Sequence, residues 1–309
     1  MSEPIIRTRG LSKRFGDFTA VDALDLAVEP GTIFAFLGGN GSGKSTTIRM
    51  LIGILEPTAG EIRVDGIDVV HTPRRVRDHI GYMGQKVSLY QGLSLRENVE
   101  FYAGLFGLAG AALERRWGAL RERFDLAAAE GRRPEDLPAA IRQRAGLALS
   151  MLHEPRVLFL DEPTAGVDVR SRSLFWDVIQ EEAAGGTTVF VTTHFVEEAD
   201  SCDWVAFIDA GKLIADAPPE ALRERFSDGY RVTVRGGDPR AAAAALTAAG
   251  LAVESAPDAV RGTAPGLPPG ALAELERLRA RQPDAHVEVQ QPAMTDVFRR
   301  VLTDAPRPA

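Results

Sequence analysis

Apolar positions in the first 37 residues come in short runs broken by turns, as in IIRTRGL and VDALDLAVEPGTIFAFL. The last run, Thr32 to Leu37, is continuous and β-rich, the pattern of a strand buried on both faces of a parallel sheet. A glycine-rich turn follows, and TTIRMLIGIL then takes up helical spacing. From about Ser94 to Leu152 the pattern is predominantly helical, with Leu, Ala, Glu and Arg at long spacings. Two further apolar runs, Val157 to Leu160 and Thr188 to Thr192, read as buried strands that lead into titratable residues. Strands alternating with helices predict an α/β fold around a parallel sheet, interrupted by a helical insertion at about 86–155.

The character changes near Phe226. The stretches GYRVTVRG, an Ala-rich helix around Arg240 to Ala249, LAVESA, GALAELERLRAR, AHVEVQ and MTDVFRRVL suit a small α+β unit of βαββαβ order. This gives two expected domains, 1–225 and 226–309, with no chemical constellation in the second and packing or oligomerisation as its expected role.

Composition narrows the function classes. A chain of 309 residues with 45% hydrophobic and 26% charged residues is ordinary globular material. With 36 basic against 43 acidic residues the net charge is −7, which argues against a broad nucleic-acid footprint. The part from Phe226 onward carries ten acidic and ten basic residues, so the negative charge belongs to the first domain. One cysteine, Cys202, excludes an intrachain disulfide and fits a reducing compartment. The N-terminus lacks a signal-peptide apolar core, and uncharged stretches reach only about 13 residues, short of a bilayer span. A cytoplasmic chain is expected, one that works at a membrane only through a partner. Just four lysines occur, Lys13, Lys44, Lys86 and Lys212, which makes each worth inspection.

One of them lies in Gly38-Gly39-Asn40-Gly41-Ser42-Gly43-Lys44-Ser45, a match to G-x4-G-K-[ST] directly between an expected strand and an expected helix. Backbone N–H groups of such a loop point at a nucleotide's phosphates, the helix N-terminus adds its dipole, and glycines allow close approach. Lys44 would reach the β/γ-phosphates and the Ser45 hydroxyl would ligate Mg²⁺, with Thr46 next in the nucleotide-binding set. At Val157-Leu158-Phe159-Leu160-Asp161-Glu162 a strand delivers two acids to its C-terminal end, where ligands bind in open parallel sheets. Taken alone, a solvated acidic turn is as good a reading. With a phosphate loop upstream, Asp161 would hold Mg²⁺ through its water shell and Glu162 would polarise the attacking water. His194, closing VFVTTH, is by itself more often structural, but at the same sheet edge it becomes a hydrogen-bond partner for the γ-phosphate.

These three strand-end sites, in this order and with a helical insertion between the first two, resemble the nucleotide-binding subunit of ATP-binding cassette (ABC) transporters over about residues 4–225. The resemblance implies a P-loop NTPase cassette with a mixed-sheet core and a helical subdomain. It implies that Phe15, in KRFGDFTAV, stacks on adenine. It implies that Gln85, in IGYMGQKVSLY, is the Q-loop glutamine that senses Mg²⁺ and the γ-phosphate, and that Asp168, in DEPTAGVD, belongs to a D-loop crossing the dimer interface. Read without the resemblance, Phe15 is a core aromatic and Gln85 a surface amide. The stretch SLYQGLSLRENVEFYAGL and the C-terminal MTDVFRRVL are similar to the cassettes of ABC-2 type exporters, whose permeases are usually separate chains. Lys86 to Leu105 would then meet the permease, although its apolar positions suit ordinary helical core equally well.

The chain departs from the family where the signature LSGGQ is usual. Here Leu137-Pro138-Ala139-Ala140-Ile141 stands in its place, before Arg142-Gln143-Arg144. In the family the serine hydroxyl and glycine amides of this segment bind the γ-phosphate held by the opposite subunit. Pro138 has neither hydroxyl nor N–H, and Ala139 and Ala140 add methyl groups. The helix dipole survives a proline in the first turn. Losing one charge-assisted hydrogen bond weakens the ATP-bound dimer by about 1.5–3 kcal/mol. Gly39 and Gly84, where proline is usual, alter little chemistry.

The expected function is therefore an ATP- and Mg²⁺-dependent transport ATPase subunit that pairs with a second cassette, as homodimer or heterodimer, on the inner face of the cell membrane. The alternative is a nucleotide-gated regulatory module whose altered signature makes hydrolysis negligible. Soluble cassette proteins of DNA repair or ribosome function usually carry two cassettes, long coiled coils or zinc insertions, which this sequence lacks.

Overall fold

A computed structural model describes residues 3–227, 229–256 and 258–304. The chain divides into two units, Met1–Asp216 and Ala217–Ala309. In the first, β1 (Ile6–Phe15) and β2 (Phe18–Val28) pair antiparallel across a tight turn in which Gly16 takes φ 58°. β3 (Ile33–Leu37) is buried at every residue and runs through the glycine loop into α1 (Lys44–Leu51). β4 (Ala59–Val64) pairs antiparallel with β1, β5 (Ile67–Asp68) adds an edge, and a single turn, α2 (Pro73–Val76), leads to β6 (Ile80–Met83). Three helices follow, α3 (Leu95–Leu105), α4 (Gly110–Arg123) and α5 (Ala139–Ser150). The chain then alternates again through β7 (Val157–Asp161), α6 (Val169–Ala184), β8 (Thr188–Thr193), β9 (Trp204–Asp209) and β10 (Lys212–Ala217).

Two sheets result. β2-β1-β4-β5 is antiparallel, and a six-stranded sheet runs β10-β9-β3-β8-β7-β6. Within the second, β9, β3, β8, β7 and β6 are parallel, so their C-terminal ends share one edge. The sequences IFAFL, VLFLD and TVFVTT are buried residue by residue, as interior parallel strands must be. Phe190 binds the three together: Phe34 stacks on it at 5.3 Å between centroids, and Phe36 and Phe159 tilt against it at 5.6 Å.

The helix expected over TTIRMLIGIL stops early, at Leu51. The Gly53 backbone turns to φ 70°, and the amides of Ile54 and Leu55 both fold back onto the Arg49 carbonyl, a helix-ending arrangement. In the helical insertion, Ser94 and Glu97 form a reciprocal capping box that starts α3, and the bonds from Ser94 hold the Glu97 carboxyl below the usual carboxylate range. Asn98, fully buried one turn into α3, accepts the Tyr90 amide at 2.8 Å and donates to the carbonyls of Ser94, Tyr90 and Leu93 at 2.9–3.2 Å. It therefore fastens the 90–94 turn to the helix. Asn98→Ala leaves these backbone groups without partners, and a loss of about 2–3 kcal/mol in unfolding free energy is expected from the denaturation midpoint.

The second unit contains α7 (Pro219–Phe226), β11 (Tyr230–Arg235), α8 (Pro239–Ala248), β12 (Ala252–Ser255), β13 (Val260–Ala264), α9 (Ala271–Arg281), β14 (His286–Gln290) and α10 (Met294–Asp304). From β11 to β14 the order is βαββαβ, and the strands form an antiparallel sheet β12-β13-β11-β14. Alternate residues Val232, Val234, Val260 and Val287 form its core with Leu246, Leu275 and Leu278 of α8 and α9. The structural boundary lies at 216/217 rather than at the 225/226 read from the sequence. α7 belongs to the second unit because it packs on α10, with Arg223 Nε donating to the Pro292 carbonyl at 3.2 Å and Glu220 accepting from Gln291 and Tyr230.

Candidate functional site

The glycine loop leaves β3 where a side chain has no room. A Cβ on Gly38 would stand 2.3 Å from the Ile208 carbonyl oxygen and 2.4 Å from Ser42 Oγ, and one on Gly43, at φ 107°, 2.6 Å from the Ala20 carbonyl oxygen. Gly39, Asn40 and Gly41 form the exposed tip. Lys44 folds back beneath them, 4% exposed, and donates to the carbonyls of Gly38 and Gly39 at 2.8 and 3.0 Å. The Thr47 hydroxyl donates to the Gly43 carbonyl at 3.0 Å, closing the first turn of α1, and Thr46 is half-buried beside it. Ser42 Oγ is buried without a hydrogen-bond partner among the described residues. A cradle kept free of Cβ atoms at Gly38 and Gly43, a buried ammonium and an unpartnered hydroxyl fit phosphate oxygens.

Asp161 ends β7 next to Ser45. The Ser45 hydroxyl donates to Asp161 Oδ1 at 3.1 Å, and the Thr192 hydroxyl donates to the same oxygen at 2.7 Å. Among the described residues no group of three or more His, Cys, Asp or Glu gathers to hold a metal. One hydroxyl and one carboxylate are a donor set suited to Mg²⁺, which keeps several waters and binds few protein oxygens alongside phosphate. Ser45 and Asp161 would hold it.

Glu162 occupies a strained position, φ 50°, in which its amide donates to Thr192 at 3.0 Å to Oγ1 and 3.1 Å to O. Its carboxylate, almost wholly buried, is the meeting point of the site. Lys44 Nζ stands 3.5 Å from Oε1, while Gln85 Nε2 donates to Oε2 at 3.2 Å and His194 Nδ1 lies 3.2 Å from that same oxygen. Residues following three strands, β3, β6 and β8, thus converge on the acid that follows a fourth, β7. The Gln85 amide is directed at Glu162, with no bond to Ser45 or Asp161. Thr192 escaped the sequence reading, although its hydroxyl orients both acids; its only signal is the paired threonines before His194.

The remaining candidates lie apart from this cluster in their contacts. Phe15 exposes half its surface at the end of β1, with the Lys13 ammonium 5.2 Å from its ring centroid. A ring left bare in that way is available for stacking. Asp168 caps α6, accepting the Ser171 amide at 3.0 Å and its hydroxyl at 2.7 Å. Leu137 is buried, and Pro138, at φ −55° and ψ 150°, precedes α5 with no side-chain cap. Ala139 is exposed and Ala140 half-exposed in the first turn.

A family model described as ABC transporter matches residues 21–165. The daunorubicin/doxorubicin resistance ATP-binding protein DrrA of Streptomyces peucetius is 38% identical over 306 residues, 95% of this chain and 91% of that protein. The chain belongs to the ABC transporter family. The probable multidrug ABC transporter ATP-binding protein YbhF of Escherichia coli (strain K12) is 44% identical over 226 residues, 73% of this ABC protein, which spans only 39% of the length of YbhF. A solved ATP-binding subunit of an ABC transporter superposes with a TM-score of 0.67 at 27% identity, covering 72% of this ABC protein and 93% of that chain. The α/β cassette fold expected from the sequence is therefore the fold of the first unit, and further strands and helices follow it. No helix among the described residues of this ABC protein is long and apolar enough to cross a membrane.

Proposed function

We propose that this ABC protein hydrolyses ATP as the nucleotide-binding subunit of an ABC-2 type exporter. The observation that carries the proposal is the convergence of Lys44, Gln85 and His194 on the Glu162 carboxylate, beside the Ser45–Asp161 pair. The glycine loop and Lys44 bind the triphosphate, and Phe15 stacks on the adenine. Mg²⁺ supplies charge stabilisation of the phosphoryl group when it is bound. Glu162 orients and polarises the attacking water, and His194 meets the γ-phosphate. Catalysis is mainly electrostatic, from groups fixed in advance around a dispersed phosphoryl charge. Two cassettes, identical or different, close on two ATP molecules, with residues 137–140 and Asp168 facing the opposite subunit.

Motion passes to a separate membrane permease through the surface at Lys86 to Leu105, which keeps the protein at the inner face of the membrane. Supporting this, Tyr90, Phe101 and Leu105 are exposed there, with the Tyr90 and Phe101 rings edge-on at 4.7 Å. Beside them lies a cavity of about 410 Å³ lined by Ile52, Ile80, Val87, Leu89, Tyr102 and Phe106 among others. The names of the relatives, in drug resistance and multidrug transport, support an exporter.

A second reading, a nucleotide-gated module with negligible turnover, is favoured by the altered signature. No side chain caps α5, and the Arg142 guanidinium turns back to the carbonyls of Leu137 and Pro134. ATP turnover and ATP-driven dimerisation, compared between the native chain and a Pro138→Ser, Ala139→Gly, Ala140→Gly variant, separate the two. For a homodimer the variant is expected to tighten the ATP-bound dimer by about 1.5–3 kcal/mol, and turnover well above background in the native chain with its permease supports the ATPase. Dimerisation without turnover in either protein would favour the gated module.

A further inference from the structure

A buried polar cluster lies just outside the site and spans two of the segments that build it. After Glu162 the chain passes Pro163 and Thr164 on its way to α6; after His194 it passes Phe195 into a 3-10 helical segment, Val196–Ser201. Glu198, on that segment, is 4% exposed, and its Oε1 accepts the Thr164 hydroxyl at 2.6 Å. Arg172, on α6, brings its Nε to 3.7 Å from the same oxygen. The Arg172 guanidinium in turn lies 4.1 Å from the centroid of the Phe195 ring, and that ring lies 4.1 Å from the imidazole of His194. Glu198 Oε2 and Arg172 Nε are both buried without a hydrogen-bond partner among the described residues. On the other side of the Glu162 loop, the Gln143 amide of α5 donates to the Pro163 carbonyl.

Stability alone does not account for this arrangement. A buried carboxylate with one strong hydrogen bond, and a cation held just beyond hydrogen-bond reach, is less favourable than apolar side chains of the same volume. Its geometry, by contrast, has a clear effect. The Thr164–Glu198 bond joins the segment carrying Glu162, two residues before Thr164, to the segment carrying His194, four residues before Glu198. Those two functional side chains are themselves 3.2 Å apart. The bond thus adds, on the far side of that contact, to the two bonds by which the Glu162 amide is already tied to Thr192.

We propose that Thr164 and Glu198 are positioning residues for ATP hydrolysis, a buried tie that holds Glu162 and His194 in register. The proposal rests on the hydrolytic reading of Glu162. In the full chain assayed with its permease, Thr164→Val is expected to lower kcat about 10-fold with the KM for ATP changed by less than about twofold, since small displacements of catalytic groups act on the chemical step. Thr164→Ser, which keeps the hydroxyl, is expected to restore kcat. Glu198→Leu should fall to the level of Thr164→Val, and the double variant should fall no further, because both changes remove the same bond. If Glu198→Leu does not fold, the Val and Ser pair at Thr164 still decides. An unchanged kcat in Thr164→Val, equal loss in Thr164→Ser, or losses that multiply in the double variant would overturn the proposal. Glu162→Gln in the same assay is the control. Undiminished turnover there removes the hydrolytic reading itself, whereas its collapse beside an unimpaired Thr164→Val removes only the positioning role.

Discussion

Glu162→Gln is expected to reduce steady-state ATP turnover by about 10²–10⁴-fold while ATP binding persists, the range for loss of a positioned general base. The replacement has nearly the same shape, and an amide can still meet Gln85 and His194. What it removes is the negative charge 3.5 Å from Lys44 and the basic oxygen that would take up a proton from water. The phosphate loop, the Ser45–Asp161 pair and the Thr192 hydroxyl are untouched, so nucleotide affinity has no cause to fall. Turnover by a coupled phosphate assay, set against the Kd for a fluorescent ATP analogue, reads both quantities. A rate within about twofold of the native chain would exclude Glu162 as the base.

Lys44→Ala is expected to act on the other quantity. The ammonium is buried, is bonded to two loop carbonyls and sits beside a buried carboxylate, so its removal takes away the side chain that holds the loop and the cation proposed to meet the phosphates. Truncating one partner of a buried, hydrogen-bonded charge pair costs about 2–5 kcal/mol, which corresponds to a rise in the Kd for Mg-ATP of about 30- to 5,000-fold. Equilibrium binding checks it directly, and an unchanged Kd would take Lys44 out of the binding site. The two substitutions thus separate along a binding axis and a chemical axis, which a general loss of folding would not do.

What the sequence made legible was local. The phosphate loop is written in consecutive residues, because backbone that must turn and approach a ligand needs glycine at fixed offsets from the lysine. Asp161 and Glu162 were legible because an apolar strand followed by two acids is a short pattern, and His194 became so by its place after a similar strand. Thr192, Thr164, Glu198 and Asn98 were not, because their value comes from partners supplied by the fold. Thr192 and Thr164 meet partners 31 and 34 residues away. Nor did periodicity supply the strand order β10-β9-β3-β8-β7-β6, which depends on crossovers rather than on any one segment. The βαββαβ order of the second unit was readable from alternating strand and helix patterns. Its start was not, since α7 resembles a continuation of the first unit until its packing on α10 and the ties of Arg223 and Glu220 to Pro292 and Gln291 are seen.

The backbone of Glu162 carries one more consequence. A left-handed conformation at a residue with a Cβ costs about 1–3 kcal/mol, and glycine or asparagine would occupy the position more comfortably. Two bonds that its own amide donates to Thr192 hold the acid there nonetheless. At this one residue the most comfortable occupant and the most useful one are different amino acids. On the proposed role of Glu162, drift toward conformational ease would yield a sturdier protein that no longer performs the reaction, and a screen for thermal tolerance alone would favour that loss.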